Sequence, residues 1–471
     1  MGRALSITER FLDLLGLQKK GVANRYEGAT WSSKRSMLPG QVQSARLDIS
    51  SYTRMELVRK SRYFEKNNPI YNRIADLWEL YISGQGLAVS PNSSSMDWNA
   101  TALRSFETWC RFCDFTGRQN FGTIIGLWAR AWFVDGEVFV LLTRGETGRP
   151  RLQTIEAHLV STPDKLAGEE GRTIIDGVQI ESSGRPLTYW VQVDSDRREW
   201  RPIDRENIIH IFEPSRPGQY RGIPICHSVI NELHDLDDLH ILEMQAAKDN
   251  ARVSRFVMTG GAEATDEDIL RTGETTGDDG KKRQQYYDEV VGAEARMLYP
   301  GDKVMQFASE RPSVVTREYW RYKTELVCTG VGIPYVMVFP DSMQGTVYRG
   351  SLDMATAFFK ARFAVISEAV KRAYTFWYLW ASRNEPALRG APSDGDQCTI
   401  APPRAPNVDV GRNSSAMLAE LSACATDYEL IYGPLGLNWR ERFRKLKEQQ
   451  DYAASIGLKL PTAPRPTPPT A

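Results

Sequence analysis

The hydrophobic repeat of this 471-residue chain changes at Asp135-Gly136. Between residues 55 and 133 apolar residues recur every three or four positions, which is the spacing of amphipathic helices. From Val138 to Phe212 they alternate with polar residues, which is typical of strands, and the helical spacing returns after residue 225. The sequence therefore predicts an α+β, mainly helical protein in which one strand-rich subdomain interrupts a series of helices.

Two β-hairpins and several long helices are expected within this plan. The hairpins pair 138–143 with 152–156 and 177–181 with 187–193, and a last strand, Ile208–Phe212, closes the subdomain. The predicted features of the rest of the chain are a short helix (1–20), a polar arm (21–45), helices (55–82, two in 97–133, 225–252, 316–331, 352–380, and a region 411–456), a polar insertion (259–296), a Pro- and Gly-rich linker (384–406) and a Pro-rich tail (461–471).

The charge balance restricts the kinds of partner. The chain has 59 Lys plus Arg and 59 Asp plus Glu, so its formal net charge is zero. Proteins that hold nucleic acid tightly have a basic surplus or a basic face, because release of phosphate counterions supplies the affinity. A tight, sequence-reading nucleic-acid binder is therefore not expected, whereas a protein that lets DNA pass is compatible with this composition.

Cys110 and Cys113 have the CxxC spacing that occurs in redox pairs and zinc sites. A structural zinc site needs four ligands, and no second CxxC or histidine pair is nearby in the sequence. Both cysteines lie in a predicted helix rich in aromatic residues, where a free thiol packs as a small apolar group. We expect reduced thiols in a protein made in the cytosol; a thiol- or metal-dependent enzyme is the alternative.

Three histidines, His227, His234 and His240, lie beside aspartates on the predicted helix 225–252. At about 100° per residue, His227 and His234 share one face and His240 points away from both. This pattern favours a solvated or intersubunit helix face. Metal binding by the His/Asp helix is the alternative.

Other chemical motifs are incomplete. Gly277–Lys282 contains Gly-Lys, but Thr275 and Lys282 stand where a phosphate-binding loop needs a glycine and a Ser or Thr. No GxSxG sequence, the motif of serine hydrolases, is present. Carboxylates are plentiful and no particular pair is indicated, so the sequence does not exclude a paired-carboxylate hydrolase. We expect no enzymatic activity and no cofactor.

Membrane insertion is not expected either. The apolar stretch Ala373–Ala381 is too short to span a bilayer, and the first residues lack the apolar core of a signal peptide.

Six short segments follow one another in a fixed order, and together they resemble the lambda-type portal family of tailed bacteriophages over roughly residues 55–450. The segments are Asp135–Val140, Ile155–Leu159, His210–Pro224, Glu243–Arg252, Leu298–Asp302 and Val331–Tyr335. The resemblance implies a portal fold with wing, stem, clip and crown, assembled as a ring. The implied parts are an N-terminal helix and arm (1–54), the α/β wing (55–224), the first stem helix (225–255), the clip (256–315), the second stem helix (316–335), the tunnel loop (336–351), the long wing helix (352–383), the crown and C-terminal helical region (384–456) and a disordered Pro-rich tail (457–471).

The same resemblance implies a function, partners and candidate contact residues. A dodecameric ring at one capsid vertex would pass double-stranded DNA, driven by the terminase large subunit, and would bind head–tail adaptor, major capsid and scaffolding proteins. Such a protein belongs to the virion and is assembled in the host cytoplasm. The tunnel loop would touch the DNA backbone without reading bases, through Gln344, Gly345, Tyr348 and Arg349. The clip would contact terminase or adaptors through Asp278, Asp279, Lys281, Lys282 and Arg283.

Overall fold

The computed structural model describes the greater part of the chain. The described residues are 42–84, 86–166, 173–194, 199–252, 256–258, 271–276, 282–290, 293–298, 314–340, 345–403, 410–432 and 439–458. The predicted helix within 1–20, most of the arm and the Pro-rich tail lie outside this part. So do four of the candidate contact residues, Asp278, Asp279, Lys281 and Gln344.

Helices and strands follow one another in the mixed order that the hydrophobic pattern predicts. The helices are α1 (Ala45–Asp48), α2 (Ser51–Asn67), α3 (Pro69–Ser83), α4 (Met96–Cys110), α5 (Phe121–Asp135), α6 (Ile230–Arg252), α7 (Val314–Val331), α8 (Tyr335–Val338), α9 (Gly345–Asn384), α10 (Val410–Ser422), α11 (Tyr428–Tyr432) and α12 (Trp439–Ser455). The strands are β1 (Val89–Pro91), β2 (Glu137–Arg144), β3 (Pro150–Ile155), β4 (Thr173–Ile175), β5 (Val178–Ile180), β6 (Pro186–Asp194), β7 (Glu199–Asp204), β8 (Ile208–Phe212), β9 (Phe256–Met258), β10 (Arg271–Thr276), β11 (Lys282–Val290), β12 (Ala293–Leu298) and β13 (Cys398–Ile400).

Local sequence signals explain where the first helices begin and end. The side chain of Asn68 accepts a hydrogen bond from the Tyr71 N–H, and Pro69 fills the first position of α3. The expected helix start at Asn68-Pro69 is therefore confirmed. Gly136, with φ +83°, ends α5 in the left-handed conformation that glycine adopts without steric cost.

Both predicted hairpins are confirmed. Strands β2 and β3 are antiparallel, with Phe139 opposite Ile155, and β8 pairs with the other edge of β2 to give the order β3-β2-β8. The second hairpin, β5 with β6, lies in an antiparallel sheet of order β4-β5-β6-β7. Side chains from both sheets share a small core of Phe139, Ile155, Val160, Val178, Tyr189, Val191 and Ile208.

The main core is helical and rich in tryptophan. Trp78, Trp128, Trp132 and Trp377 are fully buried, and the rings of Trp78 and Trp132 meet edge to face at 5.2 Å. These residues belong to α3, α5 and α9, and the 40-residue α9, about 60 Å long, contributes buried side chains to this core from Leu352 to Ala381. None of the helices in the described part of the chain is long and apolar enough to span a bilayer.

Three sequence-based expectations need correction. Strands β10, β11 and β12 of the polar insertion pair with β9, just before it, in a sheet of order β10-β11-β12-β9, which the hydrophobic pattern did not reveal because few large apolar residues mark these strands. Helix α9 begins at Gly345, and not at 352, so the second half of the predicted loop 336–351 is helical. The linker 384–406 contains β13, paired with β1, and the fully buried Leu388.

Candidate functional site

Glu137, the first residue of β2, lies at the centre of a buried ionic cluster. Its carboxylate is 0% exposed and accepts two hydrogen bonds from the guanidinium of Arg221, at 2.6 Å from Nη2 and 2.9 Å from Nε. The backbone N–H of Gly222 donates a third hydrogen bond at 2.8 Å. Bidentate geometry of this kind is the strongest form of carboxylate recognition by arginine.

Two further charged side chains make the cluster electrically neutral. Arg54, 1% exposed, is 3.4 Å from the Glu137 carboxylate and 2.5 Å from that of Asp176. Arg221 also donates to the backbone carbonyls of Val160 and Ala157 at 2.8 and 2.9 Å. Two guanidinium groups thus face two carboxylates, which is the condition under which charges can be buried.

His210 completes the cluster from strand β8. Its Nε2 is 3.0 Å from Glu137 Oε2, and its ring stacks between Phe139 and Phe212 at 4.2 Å from each. Burial lowers the pKa of His210, partly offset by Glu137. Burial alone would raise the pKa of Glu137, but Arg221, His210 and Arg54 together lower it far below its usual value. We call these five residues, Arg54, Glu137, Asp176, His210 and Arg221, the junction cluster.

The backbone is also closely packed at this point. A Cβ atom on Gly136 would lie 2.0 Å from the carbonyl carbon of Ile223, and one on Gly222 would lie 2.1 Å from the Gly136 oxygen. Glycine is therefore required on both sides of the contact. Since the chain runs from Ile223 through a 3₁₀ turn, Ile225–Val229, into α6, the junction cluster fixes the start of α6 against the sheet.

A second ion pair adds the segment Ile155–Leu159 to this junction. Arg62 on α2 forms two 2.7 Å hydrogen bonds to Asp135 and a 3.1 Å ion pair with Glu156. Three of the six segments that resemble the portal family, Asp135–Val140, Ile155–Leu159 and His210–Pro224, therefore meet in one place. The sequence had marked these segments but gave no role to Glu137 or Arg221.

Helices α6 and α7, the predicted stem helices, pack against each other. Lys323 of α7 forms ion pairs with Glu232 and Asp235 of α6, at 2.5 and 3.0 Å. A Cβ on Gly330 would lie 2.3 Å from a methyl carbon of Val229, so the two segments approach closely where α7 ends.

The histidines of this region do not converge on a metal site. His227 Nδ1 is 2.9 Å from the Pro224 carbonyl oxygen, and the exposed His234 is 3.4 Å from Asp238. No group of three or more potential metal ligands is found within the described residues. The prediction of a polar helix face agrees with this arrangement.

The two cysteines of the CxxC sequence are separate thiols. Cys113 donates a weak hydrogen bond to the carbonyl of Cys110 at 3.5 Å, and the two form no disulfide. Burial raises the pKa of both thiols, that of Cys113 to about 12. Since the thiolate is the nucleophile and metal ligand, this environment suppresses the chemistry that the alternative hypothesis requires.

The described candidates for DNA contact lie in the first two turns of α9. Arg349 is exposed, whereas Tyr348 is half-buried and packs against the main core. A Cβ atom added at Gly345 or Gly350 would meet no neighbouring atom within 4 Å. The glycines thus occupy open space in a helix and not a strained turn. Of the clip candidates, Lys282 and Arg283 lie at the start of β11.

Residues 20–351 match the family model described as phage portal protein, lambda family. The chain belongs to this portal family. The chain is 28% identical to the probable portal protein of Halomonas phage phiHAP-1 over 222 residues, which are 45% of this chain and 42% of that protein. Identity to portal protein B of Escherichia phage lambda is 25% over 307 residues, 58% of this chain and 55% of that protein.

A third portal protein, from Escherichia phage N15, is 26% identical over 263 residues, which are 49% of this chain and 47% of that protein. The chain thus spans about half the length of the curated portal proteins that it matches. Among solved structures, it is similar to a chain in the virion of a native gene transfer agent particle, with 14% identity and a TM-score of 0.45 over 82% of this chain and 93% of that one.

Proposed function

We propose that this chain is the subunit of a portal ring, with twelve copies around a channel at one vertex of a phage capsid. The observation that supports this function is the match of residues 20–351 to the portal family together with three curated relatives that carry the name portal protein. In the ring, the junction cluster would hold the wing at a fixed angle to the stem.

The parts of the subunit are assigned by their order in the chain. The wing would comprise the sheets and helices of 55–224 together with the long helix over 352–383. The stem would be formed by 225–255 and 316–335, the clip by 256–315 and the crown by 384–456. The packing of α6 on α7, with Lys323 between two carboxylates, supports a stem made of these two helices.

Double-stranded DNA would pass through the channel in both directions, inward during packaging by the terminase large subunit and outward at ejection. The formal net charge of zero supports passage without tight binding, because strong phosphate neutralisation would slow translocation. Gln344, Gly345, Tyr348 and Arg349 would make brief contacts to the DNA backbone, which carry no sequence information.

The ends of the channel would bind other proteins. The clip, through Asp278, Asp279, Lys281, Lys282 and Arg283, would bind the terminase and later the head–tail adaptor proteins. Major capsid and scaffolding proteins would surround the wing during assembly in the host cytoplasm. Charged side chains of both signs suit a surface that binds two partners in succession.

Electron microscopy of the purified protein tests the ring. Class averages should show rings with cyclic symmetry and a central opening wide enough for a DNA duplex. A protein that stays monomeric at high concentration, even with scaffolding and capsid proteins added, would contradict the proposal.

The DNA-contact residues are tested with variants that leave the fold intact. Arg349→Glu should form normal rings but package or retain less DNA, since the exposed Arg349 can attract phosphate and glutamate repels it. Arg383→Glu, at the exposed opposite end of α9, is the matched control and should package normally. Equal packaging by both variants would show that the start of α9 is not the DNA contact.

A further inference from the structure

Helix α7 carries an apolar stripe on the side that faces away from the core. Tyr319, Tyr322 and Leu326 are 48, 55 and 36% exposed, and their spacing of three and four residues places them on one face. The buried side chains of α7, Thr324, Val327, Cys328 and Val331, occupy the other side of the helix. We call Tyr319, Tyr322 and Leu326 the outer stripe.

A groove between α2 and α6 has the complementary form. It has a volume of about 480 Å³, and its apolar surface comes from the buried ring of Phe64 and from Tyr63 and Ile241, which are 58 and 60% exposed. These three side chains form the apolar floor of the groove. We call this feature the α2–α6 groove.

The two walls of the groove have opposite charge. Arg59 and Lys60 stand on the α2 side, whereas Asp237 and Asp238 stand on the α6 side. The outer stripe has Glu318 and Glu325 along one edge, as the helical spacing of 100° per residue requires, whereas Lys323 on the other edge is bound to Glu232 and Asp235 of the same copy. A stripe that enters the groove with its acidic edge toward α2 would therefore place Glu318 near Lys60, which carries the opposite charge.

The groove and the contact with α7 lie on different sides of α6. Glu232 and Asp235, which bind Lys323 of α7, are roughly 120° around α6 from His234, Asp238 and Ile241, which line the groove. A closed ring requires such a pair of different surfaces, because each copy must use one surface toward the copy before it and another toward the copy after it.

We propose that the outer stripe of one copy binds in the α2–α6 groove of the next copy, with Tyr322 on the floor formed by Tyr63, Phe64 and Ile241. This inference rests on the proposed ring and names the surfaces that close it. The partner is a second copy of this chain, because the stripe and the groove match each other in apolar surface and in charge.

Disulfide cross-linking tests the contact directly. Tyr63→Cys combined with Tyr322→Cys should give a ladder of covalently linked subunits on a non-reducing gel after mild oxidation. The exposed Cys424 is replaced by serine in every variant so that it cannot contribute. Each single cysteine variant is the matched control and should give no ladder, because the contact joins two different surfaces.

The outcomes separate this interface from the ring itself. Rings seen by electron microscopy without a ladder in the double variant would overturn the interface and leave the portal function standing. Dimers formed by a single cysteine variant would show a symmetric contact and would also overturn it. Absence of rings in the unmodified protein would contradict the proposed portal ring itself, and with it any interface within the ring.

A charge exchange provides a second test that introduces no cysteine. Lys60→Glu or Glu318→Lys alone should raise the protein concentration needed for ring formation by about threefold to tenfold, because like charges then face each other at every subunit contact. The double variant Lys60→Glu/Glu318→Lys should return this concentration to nearly that of the unmodified protein. Additive loss in the double variant would contradict the predicted orientation of the stripe.

Discussion

The junction cluster and the α6–α7 pair are close in the chain but differ in which side chains they bury. The junction cluster buries charged groups, whereas α7 leaves large aromatic side chains exposed. At the junction, the carboxylate of Glu137 is fully buried and is satisfied by groups of the same chain. On α7, Tyr319 and Tyr322 are about half exposed although they are large and aromatic. The first region is complete within one subunit, whereas the second has apolar surface that a second copy can cover.

The C-terminal helices resemble the second region. Tyr428, Trp439 and Phe443 form a small aromatic cluster, with ring centroids 4.8 to 6.1 Å apart. Leu418 and Tyr452, on α10 and α12, are 67 and 68% exposed. Substitutions should therefore affect folding when they fall at the junction and assembly when they fall on the exposed helices.

The largest expected effect comes from removing one charge of the junction cluster. Arg221→Leu leaves the carboxylate of Glu137 buried without its main partner, which should lower the free energy of unfolding by about 3–5 kcal/mol. Urea denaturation followed by circular dichroism measures this change.

The control for this substitution is Arg216→Leu, five residues earlier, where the exposed Arg216 pairs with Asp48 on the surface. Its cost should not exceed about 1 kcal/mol, as for most exposed ion pairs. Equal losses of unfolding free energy in the two variants would show that the buried ion pairs of Arg221 stabilise the protein no more than the surface ion pair of Arg216.

A pair of glycine substitutions compares a closely packed position at the junction with an open position at the start of α9. Gly136→Ala should destabilise the protein by roughly 2–4 kcal/mol, because φ is +83° and the new Cβ would clash with the Ile223 backbone. Gly345→Ala should instead be neutral or stabilising by up to about 1 kcal/mol, since its site is open and helical. Thermal unfolding of both variants measures the contrast, and a stable Gly136→Ala protein would contradict the close backbone contact.

The titratable groups of the junction cluster should make the stability of the protein depend on pH, with a smaller effect than the substitutions above. Because burial lowers the pKa of His210, the unfolded chain binds a proton below pH 6.5 that the folded chain does not, so stability falls as the pH decreases from 6.5. Glu137 adds a further loss below about pH 4.5, because its pKa is also lower in the folded chain than in the unfolded one.

His210→Gln separates the two contributions, since glutamine keeps a hydrogen-bond donor for Glu137 but does not titrate. The loss of stability just below pH 6.5 should be reduced in this variant, and the loss at lower pH should persist. Denaturation midpoints at a series of pH values provide the comparison, and superimposable profiles would contradict a buried, neutral His210.

The smallest effect concerns thiol reactivity, which should differ between exposed and buried cysteines. Exposed Cys424 should react with a thiol reagent at once, whereas Cys113 and Cys328, whose pKa values burial raises to about 12, should react only after unfolding. Cys424→Ser should remove the fast phase. A fast reaction at Cys113 would instead support the alternative that the protein is a thiol-dependent enzyme.

The sequence predicted the elements near Gly136 well and the pairing of their side chains not at all. The change of hydrophobic period identified β2, β3 and β8, and Asn68-Pro69 identified the start of α3. Nothing in the sequence indicated that Arg54 and Asp176 are buried. A charged residue in a polar stretch has the same local pattern whether its side chain is solvated or forms a buried ion pair. Likewise, Lys282 and Arg283 lie in a strand that carries little apolar periodicity.

The sequence by itself determined the α+β class, the main helices and both hairpins, because helix caps, turns and hydrophobic periods act over a few residues. The portal family was recognised separately, from the resemblance of six short segments in a fixed order. The tertiary structure decided that Arg221 meets Glu137, 84 residues away, and that α9 begins at Gly345. Such partners depend on which backbones approach closely, as Gly136 and Ile223 do, and that approach is set by the packing of whole helices and sheets.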